Sequence, residues 1–213
     1  MNTRQFYDWL KKPRSTLTLI DPIQTELHGP ENLASYLLRV QNLMGVRVKD
    51  VIYHAGTAVS PQNEEFLWHH LVRSDNLPIK LLVPGKSTAA LCEVLQLIKP
   101  KFDFKDLTLA YYTTNISRLS GVPKLKTEIN WCSHCIRDWD VNEMHFPTSW
   151  QVQGIYSCPQ HSIPFSNRCP HCGMTFSSFS KRLLAGRCGR CSESLTTWIQ
   201  PRFLQQELPL NVV

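Results

Sequence analysis

Trp131-Cys132-Ser133-His134-Cys135 opens a run of four spaced pairs. It continues through Cys158-Pro159-Gln160-His161, Cys169-Pro170-His171-Cys172 and Cys188-Gly189-Arg190-Cys191. Each pair sets two residues between metal-type side chains, so both donor atoms can reach one ion from a tight turn. Zn²⁺ prefers a tetrahedron of four thiolate or imidazole donors, and two such pairs close one structural site. Of the eight cysteines in the chain, only Cys92 lies outside this run. The pattern predicts two structural Zn²⁺ ions, held by Cys132, Cys135, Cys158, His161, Cys169, Cys172, Cys188 and Cys191. Residues 173–187 separate the last two pairs, at the edge of the roughly 15–20 residue gap of a four-cysteine zinc ribbon. Spacing alone leaves two pairings open, one sequential and one cross-braced. A disulfide framework is the competing reading, and it requires an oxidising compartment.

A site closed by four protein donors has no position for water or substrate, so neither ion is expected to be catalytic. The zinc-deaminase pattern requires His-x-Glu upstream of Pro-Cys-x-x-Cys. Here the order is Cys169-Pro170-His171-Cys172, with no His-x-Glu before it. His134 and His171 sit inside their pairs and could substitute for a neighbouring cysteine, but four regular pairs make that unnecessary. Gly173 and Gly189 suit tight turns whose N–H groups point at sulfur. No catalytic residue is expected. Asp138, Asp140 and Glu143 read as a solvated loop, because metal-dependent strand transfer would require clustered carboxylates.

At 213 residues the chain has room for one or two domains. Long apolar runs concentrate before residue 125, while the remainder is rich in Cys, Pro, Ser and Arg and is expected to depend on zinc for its fold. The N-terminus lacks the apolar core of a secretory signal, and no stretch approaches the roughly 20 apolar residues of a membrane span. A cytoplasmic location follows as the expectation. The formal charge of +6 counts thiols as neutral; with two zinc ions and seven thiolates it falls to about +3. Arg168, Lys181, Arg182, Arg187, Arg190 and Arg202 outnumber Glu193 and Glu207 near the second site. They either offset its thiolates or meet phosphate.

Phe6, Trp9 and Leu10 form a short apolar cluster, and Leu17–Ile20 reads as extended. Gly29-Pro30-Glu31-Asn32 is expected to open a helix, with Pro30 in its first turn and Glu31 at the positive end of its dipole. Leu33, Leu37, Val40 and Met44 give that helix one apolar face, and Gly45 ends it. A short helix with a turn around Gly56 follows, then a helix over Glu64–Val72 burying Phe66, Leu67, Trp68, Leu71 and Val72, with His69 and His70 as surface groups. Pro84-Gly85-Lys86-Ser87-Thr88 resembles the end of a phosphate loop, but Lys80 stands where the required glycine would be. Ser87 or Thr88 is instead expected to cap a helix with core face Leu91, Leu95 and Ile98, beside a buried Cys92. Asp106–Leu119 reads as a last helix or helix pair, and Ser120–Glu128 as a hinge. The predicted fold class is mainly α with small zinc-ribbon or zinc-finger modules. It divides into an N-terminal segment (1–16), a helix-turn-helix-like helical domain (17–125) and a tandem zinc-binding domain (126–213).

The zinc region resembles the TniQ/TnsD family of bacterial transposon target-selection proteins. Trp131 to Cys135 carries the resemblance first. Ser149-Trp150-Gln151-Val152-Gln153-Gly154-Ile155-Tyr156-Ser157-Cys158-Pro159-Gln160-His161 follows, then Cys169-Pro170-His171-Cys172-Gly173 and the closing pair at Cys188 and Cys191. Glu31-Asn32-Leu33-Ala34-Ser35-Tyr36-Leu37-Leu38-Arg39 is similar to the family's N-terminal helix, with Asn32 in place of the usual Ser. The resemblance implies sequential zinc pairing. It also implies a non-enzymatic adaptor that recruits the AAA+ ATPase TnsC, which brings the transposase. Long members carry a further DNA-reading region, whereas small members belong to CRISPR-associated transposons. There base pairing finds the target and the protein itself reads little sequence.

The partners this implies are TnsC, an RNA-guided CRISPR effector of Cascade or single-protein type, and DNA near the target contacted indirectly or non-specifically. A second copy in a homodimer stays open, and no membrane is expected. The implied location is the bacterial cytoplasm, at the nucleoid. The competing reading is a stand-alone zinc DNA-binding protein that selects its own sequence or regulates transcription, with a steep salt dependence on naked duplex. Trp139, Phe146, Trp150 and Trp198 read as core around small zinc sites rather than as interface anchors.

Overall fold

The computed structural model describes residues 19–52, 77–115 and 123–196. Several expectations lie outside the described residues: the Phe6/Trp9/Leu10 cluster, Leu17, Gly56, the Glu64–Val72 helix with His69 and His70, residues 116–122, Trp198, Arg202 and Glu207. Among the described residues the molecule is helix-rich, with only two-residue strands, and carries two Cys/His clusters, as the predicted fold class requires.

Strands β1 (Gln24–Thr25) and β2 (Gly29–Pro30) form an antiparallel hairpin, with Gln24 opposite Pro30 and Thr25 opposite Gly29. Helix α1 (Leu33–Met44) follows. The expected helix start moves here. Pro30 belongs to the hairpin, and Asn32 is the N-cap, accepting from the Ser35 N–H at 2.8 Å. Glu31 therefore precedes the helix, whose first turn holds no acidic residue. Its carboxylate is fully buried, accepts from the Ile23 N–H at 2.8 Å, and pairs with Arg39. Burial raises the Glu31 carboxyl to about 7, against the opposing pull of Arg39. Leu33, Leu37 and Val40 are buried as the periodicity predicts, but Met44 is 38% exposed because the last turn emerges from the core. Gly45, left-handed, ends the helix.

Residues 48–52 are helical. Strand β3 (Leu77–Pro78) then pairs with β4 (Ser178–Phe179), joining the helical region to the last module. A 3₁₀ turn (Ile79–Leu82) leads to α2 (Lys86–Ile98). Neither Ser87 nor Thr88 caps α2: Gly85 occupies the N-cap with no side-chain bond, and both hydroxyl residues fall in the first turn. Leu91, Cys92 and Leu95 are buried. The region predicted as a helix or helix pair from Asp106 begins as a 3₁₀ turn (Phe104–Leu107) capped by Asp103, and α3 (Ala110–Asn115) follows. Helix α4 (Ser133–Asp138), a 3₁₀ turn (Thr148–Gln151) and α5 (Lys181–Leu184) complete the elements among the described residues.

Among the described residues one buried cluster has members from Leu19 to Leu195, and Leu109, Tyr112 and Val152 form a second, smaller one. Phe146 is the meeting point of the first, packing edge-on against Trp150 at 5.6 Å and Phe179 at 5.4 Å. Trp150 stacks on Trp139 at 5.5 Å, so these aromatics are core. Residues 124–126, inside the predicted hinge, are tied down. The Gln153 N–H donates to Lys124 O at 2.7 Å and the Lys126 N–H to Gln151 O at 2.8 Å. Lys126 Nζ also donates to Trp150 O and Ile155 O, 4.8 Å over the Phe165 ring, and burial lowers its ammonium to about 8.

Candidate metal centres

Three of the four pairs adopt one local geometry. The N–H four residues after the first donor returns to that donor's carbonyl: Ser162 to Cys158 at 2.8 Å, Gly173 to Cys169 at 2.9 Å and Ser192 to Cys188 at 3.1 Å. The donor's own N–H reaches the carbonyl five residues on, at Ile163, Met174 and Glu193. Such a turn needs a left-handed residue after the second donor. Gly173 (φ 70°) meets that demand without strain, whereas Ser162 (φ 54°) and Ser192 (φ 65°) adopt it as non-glycines. Gly189 plays a different part: it is not left-handed, and a Cβ there would lie 3.2 Å from the Phe176 ring. The N–H groups of Arg190 and Cys191 do point at Cys188 Sγ, at 3.3 and 3.4 Å.

The first pair is built differently. Cys132 caps α4, with its Sγ 3.5 Å from the Cys135 N–H, and Cys135 sits one turn along on the same face.

The structure brings the eight predicted donors together in two groups, in sequential order. Cys132, Cys135, Cys158 and His161 form one, and Cys169, Cys172, Cys188 and Cys191 the other; within each, the donor atoms lie within 4.8 Å of one another. In the first group, Cys135 and Cys158 are 3.6 Å apart at sulfur. His161 Nδ1 stands 3.5, 3.3 and 3.5 Å from the sulfurs of Cys132, Cys135 and Cys158. In the second, Cys169 to Cys191 is 3.7 Å and Cys172 to Cys188 is 3.6 Å. A tetrahedral ion with metal–sulfur bonds of about 2.3 Å spaces its sulfurs about 3.8 Å apart, close to these separations. A disulfide needs about 2.05 Å, and all eight cysteines are free, so the disulfide reading does not hold.

The donor chemistry also fits a cation. Three thiols this close cannot all ionise alone. Hydrogen bonds from Cys132 and then Cys135 drive the Cys158 thiol far below the ordinary range, while Cys132 and then Cys158 push Cys135 far above it. A divalent ion at the centre removes that conflict by stabilising every thiolate at once.

The outer contacts orient the donors. His161 Nε2 lies 3.1 Å from Asp138 Oδ2, leaving Nδ1 to face the sulfurs. Asp138 is exposed, as expected of a solvated carboxylate, but it ends α4 rather than lying in a loop, and it contacts the imidazole. The hydrogen bond from Arg137, followed by the contact with His161, lowers its carboxyl below the usual range. His134 packs edge-on to the His161 ring at 5.3 Å and His171 is exposed, and neither joins a cluster. Three cysteines of the first group are buried, whereas Cys172 and Cys191 of the second are half-buried.

Fold and site together define a helix-rich protein with two four-donor Cys/His metal-binding modules in series. Residues 22–165 match the model of the TniQ family. The chain therefore belongs to the TniQ family, and its role lies in transposition target selection. The matched span takes in the hairpin, α1 and the first donor group, and stops just before Cys169. No curated protein matches the chain. No described helix is long and apolar enough to cross a membrane.

Proposed function

We propose that this chain is a non-enzymatic adaptor in transposition target-site selection, carrying two structural zinc ions. It links an RNA-guided CRISPR effector, of Cascade or single-protein type, to the AAA+ regulator TnsC, and through TnsC it recruits the transposase. Cys132, Cys135, Cys158 and His161 hold one ion; Cys169, Cys172, Cys188 and Cys191 hold the other. Each ion supplies cross-linking and charge neutralisation, not chemistry on a substrate. The work takes place in the bacterial cytoplasm, at the nucleoid, on DNA contacted indirectly or without sequence selectivity. In this reading the helical residues 17–125 and the zinc residues 126–213 form the two halves of the adaptor.

The observation that supports this reading best is the closed donor set of each group within a TniQ-family chain. Four protein donors leave no open position on either ion, which suits scaffolding and not catalysis. The test compares binding of zinc-loaded protein to naked duplex and to duplex coated with TnsC, at physiological salt. Binding that requires the ATPase coat is expected. Tight, sequence-dependent binding to naked duplex would replace the adaptor with a protein that selects DNA itself.

A further inference from the structure

We infer that His28, in the N-terminal hairpin, is a positioning residue of the first metal centre, donating its Nε2–H to the Cys135 thiolate. The inference rests on the zinc reading of that centre.

His28 Nε2 lies 3.6 Å from Cys135 Sγ and 3.1 Å from Gln160 Oε1, and Gln160 sits inside the Cys158/His161 turn. Cys135 as a metal-bound thiolate and Gln160 Oε1 can only accept, so the ring hydrogen belongs to Nε2, which shares it between them. The other ring nitrogen agrees. Nδ1 is buried with no hydrogen-bond partner, so a proton there would be stranded. The ring is also set in advance. The His28 N–H donates to Thr25 Oγ1 at 3.1 Å, Ser149 Oγ donates to His28 O at 2.9 Å, and the imidazole meets Trp139 and Trp150 edge-on. His28 is only 3% exposed.

An N–H···S bond draws electron density from a thiolate, which steadies the ion and blunts the sulfur as a nucleophile. Cys135 and His28 are 107 residues apart, so this bond makes the helical region part of the metal's surroundings. The second centre receives no such bond from the N-terminal region among the described residues.

The test uses the full chain with zinc at both centres. His28→Phe keeps the ring contacts with the tryptophans and removes the donor; His28→Gln restores one. In chelator competition, His28→Phe should weaken zinc at the first centre by about 10–100-fold and leave the second unchanged, with His28→Gln recovering most of the loss. With Co²⁺, His28→Phe should move the sulfur-to-cobalt charge-transfer band to lower energy. In the unsubstituted, zinc-loaded protein, NMR should show a slowly exchanging Nε2 proton on His28, a reading that does not depend on any variant folding. Equal zinc affinity and an unshifted cobalt band in His28→Phe, or a proton found on Nδ1, would overturn the inference while leaving the zinc reading in place. Failure to hold zinc at either centre would overturn both.

Discussion

Asn32 and Phe146 are joined twice: the Asn32 N–H and its Nδ2 both donate to the Phe146 carbonyl, at 2.8 and 2.7 Å. The same side chain caps α1 through Oδ1. A serine would cap the helix but could not span to Phe146 as well. Asn32→Ser should therefore cost about 1 kcal/mol for the lost side-chain bond. Asn32→Ala, losing the cap too, should cost about 2–3 kcal/mol. Denaturant unfolding of the metal-loaded proteins measures both, and equal losses would show that the cap contributes nothing beside the bond to Phe146.

Metal content gives the second prediction. The wild type should carry two zinc ions per chain by elemental analysis, and Cys169→Ser should carry one. Stripping both ions should abolish the near-ultraviolet signal of Trp131 and Trp150, which are fully buried in the core beside the first centre. A structural zinc is worth on the order of 10–16 kcal/mol, comparable to the whole stability of a domain.

Glu31 gives the third. Its folded carboxyl titrates near 7 against an ordinary value of 4.5, so the folded chain holds the proton more tightly than the unfolded one. Its contribution is fully present below about 4.5 and is lost as pH rises through about 7. Relative to Glu31→Gln, the wild type should lose on the order of 3 kcal/mol across that window, whatever the fixed offset between them. A constant difference between the two proteins from pH 4.5 to 8 would show that Arg39 holds the carboxylate ionised throughout.

Gly186 gives the fourth. It is left-handed (φ 67°), and a Cβ there would fall 2.7 Å from Ile136 Cγ2 on α4 and 3.2 Å from Met144 Cε. Gly186→Ala should cost about 2–4 kcal/mol, combining backbone strain with overpacking. Gly45→Ala, at φ 65° with open space around it, should cost about 1 kcal/mol. Similar losses in the two variants would show that α4 gives way.

The eight Cys and His residues that gather in two groups were legible because tetrahedral chemistry restricts spacing, and their sequential grouping was what the family resemblance implied. The core faces of α1 and α2 were legible at Leu33, Leu37, Leu91 and Leu95, where periodicity reports burial directly. The helix starts were not. Pro30 and Glu31 look like a first turn, yet the hairpin claims Pro30 and a partner eight residues on claims Glu31. Ser162 and Ser192 gave no sign of left-handed backbone, since only glycine advertises it in sequence. Asp138 and His28 were missed for a related reason. Outer contacts to a donor have no fixed spacing, and Cys135 meets its imidazole neighbour 107 residues away.

The 114-residue gap between Asn32 and Phe146 also sets a schedule for synthesis. A ribosome adding about 5–20 residues per second takes roughly 6–23 seconds to pass from Asn32 to the Phe146 carbonyl that Asn32 binds. Through that interval Asn32 lacks its Phe146 partner, although the Ile79–Leu82 turn and Phe104, which pack on α1, have already emerged. The newborn chain is most prone to aggregate before its metal-binding half exists. Under the zinc reading, metal supply therefore sets the end of a vulnerable period that begins with the first helix.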